Sequence, residues 1–164
     1  MIELDTAVAD ERWSVLGDVE ALARRSVEAA FAVACSPLEA PVVIGLLLAD
    51  DAAIRELNRA WRGQDKPTNV LSFPAPAQPS GGAGPRVLGD IALAYETVVR
   101  EARQEAKVLA DHVAHLLVHG TLHLLGRDHQ GNEEADAMEA LEIRALAGIG
   151  IANPYRDEAA GAAA

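Results

Sequence analysis

Residues 41–73, PVVIGLLLADDAAIRELNRAWRGQDKPTNVLSF, pass from an apolar run into an amphipathic stretch and back to a short apolar run. The first run, Pro41–Ala49, is too short for a long helix and opens on β-branched residues, which predicts a buried strand. Asp50 stands where a helix needs an N-cap and Gly63 where it needs a left-handed stop, so the spacing predicts a helix between them. Its inward face carries Ile54, Leu57 and Trp61; Arg55, Arg59 and Arg62 recur on the opposite face. Lys66-Pro67-Thr68 then turns the chain into a strand at Val70–Phe73.

The same reading extends outward. Residues 1–5 alternate weakly, as a short edge strand does, and Ser14–Ala34 repeats apolar residues at helical spacing through Leu16, Val19, Ala23, Val27, Ala30 and Phe31. After Phe73 comes PAPAQPSGGAGPR (74–86), whose proline and glycine content predicts a mobile surface loop beside a substrate groove. A strand at Val87–Ala94 follows, then helices at Tyr95–Lys107, Leu109–Leu125 and Glu133–Ala147. About four strands and about five helices, with no internal repeat, predict an α+β fold: a small mixed β-sheet covered by helices, with a metal site in a cleft. The expected organisation is one metallohydrolase domain over 1–157 and a disordered tail over 158–164.

Composition narrows the function. Half of the 164 residues are apolar and a quarter charged, enough for one substantial core and too little chain for two comfortable domains. An acidic start and the lack of any membrane-length apolar run predict a cytoplasmic protein with no membrane partner. Cys35 is the single cysteine, so no internal disulfide or thiolate cluster can form, and it reads as inert packing. The net charge of −11 argues against a generic nucleic-acid binder. Residues 51–107 nevertheless carry eight basic side chains against seven acids, so an anion could be met there with help from a bound dication.

That dication has an evident site. In His119-Gly-Thr-Leu-His123-Leu-Leu-Gly126-Arg-Asp-His129, two histidines four apart on a helix project from one face. Gly126 can take the left-handed conformation that ends the helix and lets His129 return to the same ion. Three imidazoles leave a tetrahedral zinc one open position, which is the arrangement of a catalytic site. His112 and His115 lie on the same helical face; the glycine and third histidine follow only the His119/His123 register, so His115 reads as supporting or packed and His112 as partly solvated.

The frame matches the metzincin protease signature at the three histidines and the glycine, but the residue after the first histidine is Gly120, where the protease has its glutamate base. Asp128 is the nearest replacement, either as a base or as a hydrogen-bond partner of a ligand imidazole. A phosphodiester substrate needs less of a dedicated base, because zinc ionises its own water and RNA carries an internal 2′-hydroxyl nucleophile. The Arg55, Arg59 and Arg62 stripe is either a solvated helix face or a wall for phosphates.

Three segments together, His119–His129, the upstream LNxxWRGxDKPTNVLSF of Leu57–Phe73, and Leu88-Gly89-Asp90-Ile91, resemble the YbeY family of bacterial endoribonucleases. The similarity continues through Met138-Glu139-Ala140-Leu141-Glu142 to Asn153-Pro154-Tyr155, spanning about residues 40–155. The resemblance implies a metal-dependent hydrolase of single-stranded RNA. It would act with ribosomal particles in ribosomal RNA maturation, around the small-subunit 3′ end, and in ribosome quality control. It implies one zinc ion on His119, His123 and His129, where imidazoles would equally accept other divalent transition metals, with Arg62 on the phosphate; Arg55 and Arg59 are candidate substrate contacts and Asp128 the candidate base.

Other polar residues read as structural. Asp90 is placed to cap a backbone turn at the head of a strand, Ser72 and Thr68 to satisfy backbone, and Glu139 and Glu142 to be salt-bridged or solvated. Two rival functions stay open at this point: a metallopeptidase or amidase using Asp128, and a non-catalytic ribosome-assembly factor whose metal only organises the fold.

Overall fold

The protein is described by a computed structural model over residues 2–34, 41–76, 84–127 and 131–155. Cys35, the middle of the 74–86 segment, Asp128, His129 and the tail at 158–164, each given a role above, lie outside the described residues. The element order is β1 (Ile2–Val8), a 3-10 turn (Glu11–Leu16), α1 (Val19–Ala34), β2 (Val42–Ala49), α2 (Asp51–Arg62), β3 (Val70–Pro74), β4 (Arg86–Ala94), α3 (Tyr95–Gln104), α4 (Leu109–Leu124) and α5 (Asn132–Gly148). The four strands form one mixed sheet in the order β1-β2-β4-β3, with β1 and β2 parallel, β2 and β4 parallel, and β3 antiparallel to β4 at the edge. The α+β architecture read from the sequence is therefore the one that forms.

Side-chain alternation sorts the strands' residues between two layers. Ile44, Leu46 and Leu48 of β2 and Ile91 and Leu93 of β4 enter the main core, which α1, α4 and α5 close. Each such side chain withdrawn from water contributes on the order of 1.5–3 kcal/mol. The opposite face is covered only in part. There Ala49, Leu71, Ala92 and Ala94 pack under Ile54 of α2.

Local chemistry sets the ends of the elements. Asp50 Oδ1 accepts from the Ala53 amide at 2.8 Å, and Gly63 ends α2 with φ 68° and ψ 19°. The segment before α1 is not a continuation of that helix: Asp10 caps a separate 3-10 turn that drives Trp13 fully into the core, where its indole N–H donates to the Ala49 carbonyl at 2.9 Å. At the other edge, Gly89 has φ 143° and backs onto the β3 backbone at Phe73 and Pro74, so a side chain has no room there.

One expectation for α2 is overturned. Ile54 is buried, but Trp61 is 72% exposed and meets the tilted ring of Phe73 instead of the core. The C-terminal turn of α2 lies beside the edge strand β3, where, among the described residues, Phe73 is the aromatic ring that Trp61 meets. Among the described residues, no helix is long and apolar enough to cross a membrane.

Candidate active-site cleft

Helix α4 carries His112, His115, His119 and His123 at spacings that keep them on neighbouring turns of one face. It stops where the glycine predicts. Gly126 takes φ 86°, its amide donates to His123 O at 3.0 Å and the Arg127 amide to Leu122 O at 2.9 Å, the paired bonds of a Schellman turn. Gly120 faces the sheet, where a Cβ would meet Ser72 Oγ at 3.1 Å and Ile91 Cδ1 at 3.2 Å. The position that holds glutamate in the protease signature is thus packed against strands and has no room for a catalytic carboxylate.

The Nε2 atoms of His119 and His123 lie 3.0 Å apart. Ligand nitrogens about 2.0–2.1 Å from a tetrahedral ion are separated by about 3.3 Å, so the two imidazoles converge at nearly the spacing one cation would set. The tautomer of His119 is set from behind. Its Nδ1–H donates to Glu142 Oε2 at 2.7 Å, which leaves the Nε2 lone pair directed to the cleft.

Glu142, on α5, was read from the sequence as salt-bridged or solvated and not metal-binding; it is 1% exposed, so it is not solvated, and it is paired with His115 and His119 as the hub of the site. Besides His119 it accepts from His115 Nε2 at 2.6 Å and from the Tyr155 hydroxyl at 2.5 Å. Burial pushes its carboxyl up, but the hydrogen bonds from His115, His119 and Tyr155 outweigh that and hold it down at about 2. Burial and the Glu142 carboxylate both push the Tyr155 phenol up, so it remains a donor. The signal for this hub was present: Glu142 falls on the apolar register of Met138, Ala145 and Leu146, all buried on α5, and a glutamate there must be paired.

The two other histidines of α4 are paired with carboxylates. His115 donates into the Glu142 hub through Nε2, and His112 is buried against Glu101 at 2.9 Å, not partly solvated as its helical position suggested. In both rings Nδ1 is buried and makes no hydrogen bond, while Nε2 faces the carboxylate.

Arg62, the last residue of α2, reaches across the edge strand. Its Nη2 donates to the Ser72 carbonyl at 2.9 Å, and it lines a cleft of about 590 Å³ with Val70, Ser72, Pro74, His119 and His123. Arg55 and Arg59 do not line this cleft: Arg55 is paired with Asp65 at 2.7 Å, and Arg59 with Glu56. Ser72 donates through Oγ to Gly120 O at 3.4 Å, tying β3 to α4. Asp90 sits within β4, opposite Phe73 and Gly45, and does not cap a turn at the strand's head.

Among the described residues, no group of three histidine, cysteine, aspartate or glutamate side chains is placed to hold a metal ion. The described part of the cleft contributes two imidazoles. The third proposed ligand, His129, and the candidate base, Asp128, lie outside the described residues.

Comparison with known proteins gives the family and the fold. Residues 8–150 match the family described as Endoribonuclease YbeY. A protein named Endoribonuclease YbeY from Azorhizobium caulinodans is 49% identical over 154 residues, covering 94% of this chain and 96% of its own. Its namesake from Bradyrhizobium diazoefficiens is 50% identical over 157 residues, covering 93% and 85%. The solution structure of a Thermotoga maritima protein shares the fold with a TM-score of 0.53, at 24% identity and 91% coverage of each chain.

Proposed function

This chain belongs to the YbeY endoribonuclease family, and from that premise we propose that it is a metal-dependent endoribonuclease that cuts single-stranded RNA in ribosomal RNA maturation. The observation that carries the reading is the meeting of the Arg62 guanidinium with two imidazoles, their Nε2 atoms 3.0 Å apart, in one open cleft.

In this reading His119, His123 and His129 hold one zinc ion. When bound, the ion supplies Lewis acidity to a phosphoryl oxygen and an ionisable water. Arg62 offers two parallel N–H donors to the phosphate and offsets charge growing on its oxygens as the bond to phosphorus changes. Glu142 keeps the His119 lone pair directed at the cleft and takes the proton on Nδ1 out of play. Asp128 is the candidate proton acceptor or orienting group. Arg55 and Arg59, both exposed, would meet the RNA backbone only by leaving their ion pairs with Asp65 and Glu56.

The packing of Gly120 against Ser72 and Ile91 favours RNA over peptides, since it leaves no place for the glutamate base of a peptidase. With a net charge of −11, the protein draws much of its RNA affinity from ribosomal particles, which puts its work in the cytoplasm. The test pairs metal analysis of the purified protein with cleavage of single-stranded ribosomal RNA before and after chelation. Loss of cleavage on chelation with the fold retained is expected; undiminished cleavage by the metal-free protein would overturn the assignment, and unfolding on chelation would make the metal structural.

A further inference from the structure

Resting on that reading of the cleft, we infer that Trp61 and Phe73 form a stacking platform for an unpaired base of the nucleotide next to the phosphate at Arg62. The platform lies on the face of the sheet away from His119. Strand β3 separates the two: Val70, Ser72 and Pro74 line the histidine cleft, while Phe73 turns to the other face, where a groove of about 780 Å³ opens beneath Trp61. Their ring centroids are 6.2 Å apart with planes at 54°, so the pair forms an open V and not a closed stack.

Continuity with the cleft identifies the occupant. Trp61 immediately precedes Arg62 on α2, and Phe73 immediately follows Ser72, whose carbonyl holds the Arg62 guanidinium. Arg62 Cζ lies over the Phe73 ring, 5.8 Å from its centroid, so the guanidinium and the aromatic pair are contiguous. Pro74 borders both cavities. An RNA strand crossing the β3 edge would leave its phosphate with Arg62 and lay its base on the aromatic side.

Charge sorts the two halves of the nucleotide. Asp5, Gly45, Asp90 and Phe73 form one row across β1, β2, β4 and β3, and the absent side chain of Gly45 gives the Asp90 carboxylate its space. Two carboxylates on the groove floor repel phosphate but accept hydrogen bonds from the N–H groups of bases. Aromatic faces bind bases with little regard to sequence, as a nuclease for varied single strands requires.

The chain's two tryptophans make the test direct, because Trp13 is fully buried and Trp61 is 72% exposed. A short 2′-O-methyl oligocytidylate, which resists cleavage, should quench the fluorescence of the wild-type protein and leave that of Trp61→Phe unchanged. Trp61→Ala should raise KM for an unstructured RNA about tenfold with little change in kcat, and Trp61→Phe should recover most of that loss. Both variants should melt with the wild type, since the side chain contributes nothing to the core. Absence of quenching with an unchanged KM, while Arg62→Ala abolishes cleavage, would sink the platform and leave the nuclease standing. Loss of binding to a basic ribosomal protein with cleavage of naked RNA intact would assign the groove to a protein segment and equally overturn the proposal. A wild-type protein that is quenched by the oligonucleotide yet never cleaves RNA would preserve the platform and refute the nuclease.

Discussion

Replacing Glu142 by glutamine removes one charge, keeps the shape, and asks what the buried hub does. The carboxylate accepts two hydrogen bonds on Oε1, from His115 and Tyr155, and one on Oε2, from His119. A glutamine that keeps its oxygen toward His115 and Tyr155 must turn its amide N–H₂ toward His119 Nδ1. Donor then faces donor unless His119 moves its proton to Nε2, which abolishes the lone pair aimed at His123. The opposite orientation preserves His119 and instead opposes His115 or Tyr155. Either way one buried donor pair conflicts, a cost of about 1–3 kcal/mol, and each kcal/mol lowers Tm by about 2–4 °C in a chain of this size. Loss of the carboxylate behind a ligand histidine weakens metal binding about 10- to 100-fold. Competitive zinc titration and calorimetry of Glu142→Gln read both effects. An unchanged zinc affinity together with an unchanged Tm would refute the view that this carboxylate orients the site.

Other outcomes follow from the same geometry. Arg62→Glu should reduce cleavage of single-stranded RNA by about 10²-fold or more with its melting unaffected, whereas Arg55→Ala should retain most activity; equal losses would show that the stripe acts as a unit. Because Glu142 titrates at about 2 when folded and nearer its ordinary 4.5 when unfolded, its contribution is fully present above about pH 4.5 and lost as pH falls toward 2. The acid limb of a stability–pH curve should therefore flatten in Glu142→Gln, and an identical limb would contradict the pairing. Gly89→Ala forces a Cβ into the β3 backbone at positive φ and should cost about 2 kcal/mol or more in urea denaturation; a neutral result would mean that β3 and β4 are not so closely apposed.

The elements most legible in the sequence were those whose ends carry local chemistry. Asp50, Gly63 and Gly126 each specify a cap through neighbours a few residues away, and the two helices they bound came out as read. Glu142 was less legible because its partners lie 13, 23 and 27 residues distant, and only the packing of α5 on α4 brings them together. Trp61 misled for a different reason. A helical wheel places it with Ile54 and Leu57, but the wheel knows nothing of where the sheet ends. Arg62 shared a stripe with Arg55 and Arg59 that spacing could not divide, and only the arch over β3 separates it from the two arginines held in ion pairs.

The dependence of His119 on Glu142, and of Glu142 on Tyr155, also orders events in time. The chain is made from its amino end, so the histidine helix is synthesised before its acceptor, and the phenol is added later still. A prematurely ended product lacking α5 would carry both imidazoles without the proton acceptor that aims one of them. The order of synthesis therefore places the aiming of His119 after the addition of both Glu142 and Tyr155.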